Sequence, residues 1–386
     1  MHSKSDQIYC KQFYNLKIEE KSKATEISKK TRKSFNDSIE NQVYKLALQL
    51  IKYYKNTGNG KIPVQLTAKE ATELKNRFAK NETNDLFYFA LIGLAREFSI
   101  NYSDKVGAVA ITSTGNIYFG FNIEFPGLDV SSFIHAEQAA VANARIPRAD
   151  RAMEKQIDFL YVSAAPCGSC RQMLLNANGN VNKINIRFPY NGQIIDEKLP
   201  HLIKLPFGDL DLNLFDIRDV SFSGIKKRKV LQDGFLSKRL SDVSAPTPIQ
   251  EAAIRAALQG YTNKDIESYR GTAVELISET GRSEIFAGSY IESTGANHSI
   301  RPITQILVGL LDAGYNFRET SPVMNGHGER IVDARAVMVQ GDDYPFSSLS
   351  ETVLFVKKIA GSFTNRVELL TYERYSIKSS GNKDKD

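Results

Sequence analysis

The sequence predicts an α/β protein in which one pattern of elements occurs twice. Three observations carry that prediction. Between Val106 and Phe188 the elements read strand, strand, helix, strand, helix, strand, which implies a sheet covered by helices. After a stretch at 217–248 that holds the basic run Lys226-Lys-Arg-Lys229 and then Ser-Ala-Pro-Thr-Pro, helix and strand patterns return in the same outline. Finally, Tyr118-Phe-Gly-Phe-Asn-Ile-Glu124 is similar to Ile285-Phe-Ala-Gly-Ser-Tyr-Ile-Glu292 in the equivalent place of the second half.

Residues 1–40 are polar and rich in Lys and Ser, whereas Ile39, Val43, Leu46, Leu50 and Tyr53 recur at spacings of three and four. That periodicity predicts an amphipathic helix from Ile39 to Tyr54. Gly58-Asn-Gly60 and Pro63 break it, and Thr67 caps a short helix running to Phe78. Asn84 to Phe98 is apolar enough for a core helix. Val106 to Thr112 and Ile117 to Phe121, rich in β-branched and aromatic residues, form a hairpin around Ser-Thr-Gly-Asn. His135 to Arg145 is helical by its alanine content, Phe159 to Ala164 is a buried strand, Cys167 to Asn176 a helix, and Ile184 to Phe188 a further strand. In the second half, Ile249 to Leu258 and Ile303 to Ala313 read as helices, with strands near Thr272 to Ile277 and Glu284 to Phe286.

With 386 residues, 42% of them hydrophobic, the chain suffices for two ordinary domains. Its longest apolar stretches, such as Leu86 to Ala95, fall short of the roughly 20 residues that cross a bilayer. Met1 to Glu20 is polar and charged, without the apolar core of a secretory signal, so a cytoplasmic protein without membrane contact is expected. There are three cysteines, too few and too unevenly placed for a disulfide framework, and Cys10 is expected to be a thiol without a role. The net charge of +6 is concentrated at one end, where residues 1–61 hold 13 Lys and Arg against 6 Asp and Glu. Such an extension either binds nucleic acid or an acidic partner, or is a solvated arm. Lys226 to Lys229 leave the same choice, between phosphate binding and a solvated connector.

The remaining two cysteines lie in Pro166-Cys167-Gly-Ser-Cys170, downstream of His135-Ala-Glu137. One imidazole and two thiolates match the three protein ligands of a catalytic zinc, whose fourth position is left for water. A structural zinc is the competing reading, but it requires a fourth ligand and the remaining cysteine is remote. A cysteine at a helix start has its thiolate stabilised by unpaired N–H groups and the helix dipole. Residues two apart on a helix do not share a face, so His135 and Glu137 serve one site only if that site lies at the helix start. His135, Cys167 and Cys170 are then the ligands, and Glu137, in the first turn, is the base beside the metal's water. Arg301-Pro-Ile-Thr-Gln305 falls where the second half would repeat the His-Ala-Glu segment, and it offers no ligand.

H-x-E followed by P-C-x-x-C resembles the signature of zinc deaminases that act on nucleobases. With Phe119-Gly-Phe-Asn-Ile-Glu-Phe125, His135-Ala-Glu-Gln-Ala139 and Pro166-Cys-Gly-Ser-Cys-Arg-Gln172, the chain resembles the cytidine deaminases over residues 66–375, in particular the larger homodimeric form with a degenerate second copy. The resemblance implies a duplicated three-layer α/β/α sandwich with a helical N-terminal extension. It divides the chain into 1–65, a catalytic domain at 66–216, a linker at 217–248, a degenerate domain at 249–375 and a charged tail at 376–386. One Zn²⁺ per chain is implied, with hydrolysis of cytidine or deoxycytidine to uridine or deoxyuridine in pyrimidine salvage. By the same resemblance Asn122 and Glu124 hold the ribose hydroxyls, the backbone of Ala136 and Ala165 reads the pyrimidine edge, and Phe207 lies close to the base. The chain departs from the family before its Val-Gly-Ala strand, where Asp104 or Lys105 stands in place of a phenylalanine that packs on the ring. That departure admits a modified nucleoside as substrate, or a zinc-containing nucleoside-binding protein without turnover. A deaminase of single-stranded polynucleotide is a further reading, which the Asn122/Glu124 pair disfavours.

Overall fold

The structure is a computed structural model that describes residues 29–57, 61–101, 104–124, 133–146, 154, 156–177, 183–190, 193–203, 245–260, 270–291, 299–317, 322–341, 349–360 and 367–372. Cys10, Phe207, Lys226 to Lys229, most of the 217–248 segment and the 376–386 tail lie outside the described residues.

The first half begins with helix α1 (Lys29–Asn56), followed by the short strand β1 (Gln65–Leu66), α2 (Ala68–Phe78) and α3 (Asn84–Arg96). Thr67 caps α2 as expected, its hydroxyl accepting from the Glu70 N–H while the Glu70 carboxylate accepts from the Thr67 N–H. Strands β2 (Gly107–Thr112) and β3 (Ile117–Phe121) form the hairpin, whose turn needs the left-handed backbone of Gly115 at φ 83°. Then come α4 (Ala136–Ala144), β4 (Ile157–Val162), α5 (Gly168–Ala177), β5 (Asn185–Tyr190), β6 (Gln193–Lys198) and the single turn α6 (Leu199–Leu202). The strands join in the order β1-β3-β2-β4-β5-β6, with β4 and β5 parallel and every other pair antiparallel.

Strands β2 and β3 are buried along their whole length, which is why they read as continuous apolar runs and not as alternating ones. On one face Val109, Ile111, Phe119 and Tyr161 pack under α1 and α3 through Leu46, Leu50, Phe87 and Leu91. On the other, Ala108, Ala110 and Leu160 meet α4 and α5 through Ala136, Ala140, Met173 and Leu174. Three layers result, helix on sheet on helix.

The second half comprises α7 (Pro248–Gln259), β7 (Gly271–Ser278), β8 (Ser283–Ser289), α8 (Pro302–Asp312), β9 (Ile331–Gly341), α9 (Leu349–Ala360) and β10 (Val367–Tyr372). Its sheet runs β10-β9-β7-β8, the mirror listing of β3-β2-β4-β5, again with its last pair parallel. The likeness extends to details. Gly281 turns the hairpin at φ 84°, as Gly115 does in the first half, and the register of β2 against β4 and of β7 against β9 shifts at the same point, Ile111/Thr112 and Ile277/Ser278. The two halves meet through α4 and α8, where Ala139 joins the core of Ile306, Leu307 and Val308.

Three differences from the sequence reading have physical causes. Helix α1 starts ten residues earlier than its apolar periodicity, at Lys29, because nothing in the polar stretch breaks it. Strand β6 alternates half-buried and exposed residues as an edge strand, and its Asp, Glu and Lys mask it. Strand β9 carries Asp333 and Arg335 within its first turns of pleat, which interrupts the apolar run. No helix among the described residues is long and apolar enough to cross a membrane.

Candidate metal and nucleoside site

The site is built where α4 and α5 begin. His135 is the N-cap residue of α4, with an extended backbone at φ −79° and ψ 156°, and its N–H donates to Gln138 Oε1 at 2.9 Å. That places His135 off the helix and Glu137 in its first turn, which resolves the spacing problem of residues two apart. Gly120 allows it: a Cβ there would stand 2.0 Å from the Ala136 carbonyl oxygen, so only glycine lets α4 approach β3 so closely. Cys167 immediately precedes α5 and Cys170 lies in its first turn. Arg171 holds this entry in shape, donating from Nε to the Pro166 carbonyl at 2.9 Å and from Nη1 to the Leu202 carbonyl at 2.8 Å.

The ligand atoms converge. His135 Nδ1 is 3.5 Å from the Sγ of Cys167 and 3.5 Å from that of Cys170, and all three atoms lie within 4.8 Å of one another. Two sulfurs at ~2.3 Å and a nitrogen at ~2.0 Å around a tetrahedral zinc would stand roughly 3.5 Å apart, S to N. The donor set and its spacing therefore fit zinc. Among the described residues this is the one such cluster, exposed at His135 and buried at Cys170.

Charge in the site is arranged around these sulfurs. The Cys167 thiol is lowered to about 3, first by a hydrogen bond from Cys170 and then by His135, and the same hydrogen bond, with burial, pushes the Cys170 thiol up. The hydrogen bond to Cys167 raises His135. Glu137 is only 4% exposed, and burial pushes its carboxyl up.

Asn122 and Glu124 follow β3, and backbone bonds between Ile123 and Ile134, at 2.9 and 3.0 Å, lay their segment beside His135. Both are buried. The Asn122 carboxamide oxygen accepts from the Val106 N–H at 2.9 Å, and its nitrogen donates to the Asp104 carbonyl at 3.1 Å and to Glu124 Oε1 at 3.2 Å. Asn122 thus ties the departing segment at 104–106 to Glu124. Ala136 is fully buried at the start of α4, and Ala165 is exposed two residues before Cys167. The structure therefore brings His135, Glu137, Cys167 and Cys170 together, with Asn122 and Glu124 alongside.

Sequence reasoning missed Asn143. Completely buried in α4, it donates to the carbonyls of Val64 at 2.8 Å and Phe119 at 2.9 Å, fastening the helix to the sheet edge. Gln138 and Arg171 were missed too. Gln138, three residues after the N-cap, carried a capping signal, whereas Arg171 binds carbonyls that no local pattern reveals.

Residues 82–186 match the family model described as cytidine and deoxycytidylate deaminase zinc-binding region. A cytidine deaminase of Photorhabdus laumondii is 29% identical over 298 residues, covering 76% of this chain and 86% of its own. One from Yersinia pestis is 27% identical over 309 residues, covering 79% and 90%. A crystal structure of a mutant cytidine deaminase from Mycobacterium tuberculosis is 23% identical, covers 34% of this chain and 99% of its own, and has a TM-score of 0.27. The cofactor is zinc, the ion of the matched region and the one that the His135, Cys167 and Cys170 donors fit.

Proposed function

We propose that this chain, whose residues 82–186 carry the zinc-binding region of the cytidine and deoxycytidylate deaminases, hydrolyses cytidine and deoxycytidine to uridine and deoxyuridine with release of ammonia. The observation that carries this reading is the triangle of His135, Cys167 and Cys170 with the buried Glu137 in the first turn of α4, two residues after His135.

His135, Cys167 and Cys170 hold the metal, which when bound supplies a Lewis acid that orients a water and makes it easier to deprotonate. Glu137 takes one proton from the attacking water as its oxygen bonds to C4 and delivers it to the ring nitrogen, then takes the remaining hydroxyl proton and passes it to the amine as the C–N bond breaks and the C4 carbonyl forms. Its raised pKa suits a group that must both accept and give. Asn122 and Glu124 receive the sugar hydroxyls, Ala136 and Ala165 offer backbone groups to the pyrimidine edge, and Phe207 flanks the base. Free sugar hydroxyls at a carboxylate favour a nucleoside over a strand, and the relatives are named as cytidine deaminases.

Catalysis belongs to 66–216 and a supporting role to 249–375, with 1–65, 217–248 and 376–386 as extension, linker and tail. The two sheets on either side of the linker support that division. Pyrimidine salvage in the cytoplasm, as a homodimer, completes the reading.

The test is a coupled ammonia-release screen of the zinc-loaded chain over cytidine, deoxycytidine, ring-modified pyrimidine nucleosides and a cytosine-containing single-stranded oligonucleotide. Turnover of the first two and none of the oligonucleotide is expected. Turnover confined to the oligonucleotide, or to no substrate at all, would overturn the reading.

A further inference from the structure

The two halves treat the outer edge of the hairpin differently. In the first half the edge of β3 is covered: Val64, Gln65 and Leu66 lie along it, Phe119 donates its N–H to the Val64 carbonyl at 2.8 Å, and Asn143 clamps both. Ile117, Tyr118 and Phe119 are buried as a result. In the second half β8 is the last strand of its sheet among the described residues. The residues that answer them, Ile285, Phe286 and Ala287, are half-exposed.

The backbone there points outward. Tyr290 donates to the Arg270 carbonyl as Asn122 does to that of Val106, so Ile285 and Ala287 fall in the positions that face away from β7. Ser289, two residues on, confirms the parity by donating its outward N–H to Gln305 Oε1 at 2.6 Å. The N–H and C=O groups of Ile285 and Ala287 that share this direction have no partner among the described residues. Where Asn143 closes the first edge, the second has Gly309, counting from the N-caps His135 and Arg301. A groove of about 260 Å³ opens there, lined by Ala252 and Ala256 of α7, Gly309 of α8 and the edge itself. Arg255 stands at its side, exposed and without a carboxylate partner among the described residues.

We propose that this groove binds an extended peptide segment of another protein, which adds a strand to β8, sets an apolar side chain between the small residues of α7 and α8, and places an acidic residue against Arg255. The first half displays the same arrangement filled by its own strand. The edge lies between α7 and α8, both of which pack on β8, so the space beside it has the width of a single strand in the first half's arrangement. Main-chain pairing supplies the affinity, and the groove and Arg255 supply the selection.

The probe is an acetylated, amidated fluorescent octapeptide of alternating Val and Thr with one Glu at a terminus, and its twin with Lys for Glu, titrated into the full zinc-loaded chain by anisotropy. Saturable binding at micromolar concentration is expected, at least tenfold tighter for the Glu peptide, with the amides of Ile285 and Ala287 becoming protected from hydrogen exchange. Arg255→Glu should reverse the peptide preference. Gly309→Asn should abolish binding while folding at least as well, since a Cβ there meets only Phe286 at an ordinary 3.5 Å. Ammonia release should be unchanged in both variants. The proposal is overturned by binding that neither variant alters, by no saturation at millimolar peptide, by edge amides already protected without peptide because a segment of the chain itself covers them, or by a dimer that Gly309→Asn dissociates.

Discussion

His135 and Arg301 occupy the same place in two copies of one architecture, each the extended N-cap of a helix that lies against the preceding hairpin strand. Two residues on, the first copy has the buried acid Glu137 and the second the buried Ile303. The helix, the glycine beneath it and the sheet order persist without any ligand. The difference teaches that the skeleton does not depend on the metal, and that chemistry enters through side chains at a few helix-start positions.

The largest effects should appear where this comparison is broken at those positions. Glu137→Gln should lower kcat by about 10³-fold through loss of the proton carrier, with zinc content and Tm unchanged. Ile303→Ala, its counterpart, should leave kcat intact and cost about 3 kcal/mol of stability, read by urea unfolding, because it empties a core position. Next come the two glycines under the helices. A Cβ at Gly120 or Gly288 would stand 2.0 or 1.9 Å from a helix carbonyl oxygen, so Gly120→Ala and Gly288→Ala should each cost about 3 kcal/mol. Only the first should also weaken zinc binding, measured by chelator competition, because it displaces α4 and His135.

A smaller effect belongs to Asn143→Ala, which leaves the Val64 and Phe119 carbonyls without their donor and should cost about 2 kcal/mol with little change in KM. Smallest should be the cap substitutions: Thr83→Ala at the N-cap of α3, whose hydroxyl accepts from the Leu86 N–H at 3.3 Å, about 1 kcal/mol in thermal unfolding, and Thr247→Ala at the N-cap of α7, whose N–H and not its side chain is bonded to Gln250, less than that.

The legibility of this molecule in its sequence divides along physical lines. The proposed zinc ligands announce themselves because imidazole and thiolate are rare and their spacing on a helix start is restrictive, so the cluster of His135, Cys167 and Cys170 was readable as a unit. Thr67, Gly115 and the hairpin followed from local turn and cap chemistry. Asn143 was not readable, since its partners Val64 and Phe119 are 79 and 24 residues away and a buried amide in an alanine-rich helix has no local signature. Nor was the open edge of β8, which is defined by a strand that the first half has and the second lacks among the described residues.

The central claim is that one copy carries the chemistry and the other supports it. Zinc per chain measured by mass spectrometry alongside uridine formation, for the natural chain and for Cys170→Ala, tests it most directly. The account expects one zinc per chain, none in the variant, uridine formation in proportion to zinc, and far-ultraviolet circular dichroism that both proteins share. Two zinc ions per chain, or uridine formed by the zinc-free variant, would contradict it.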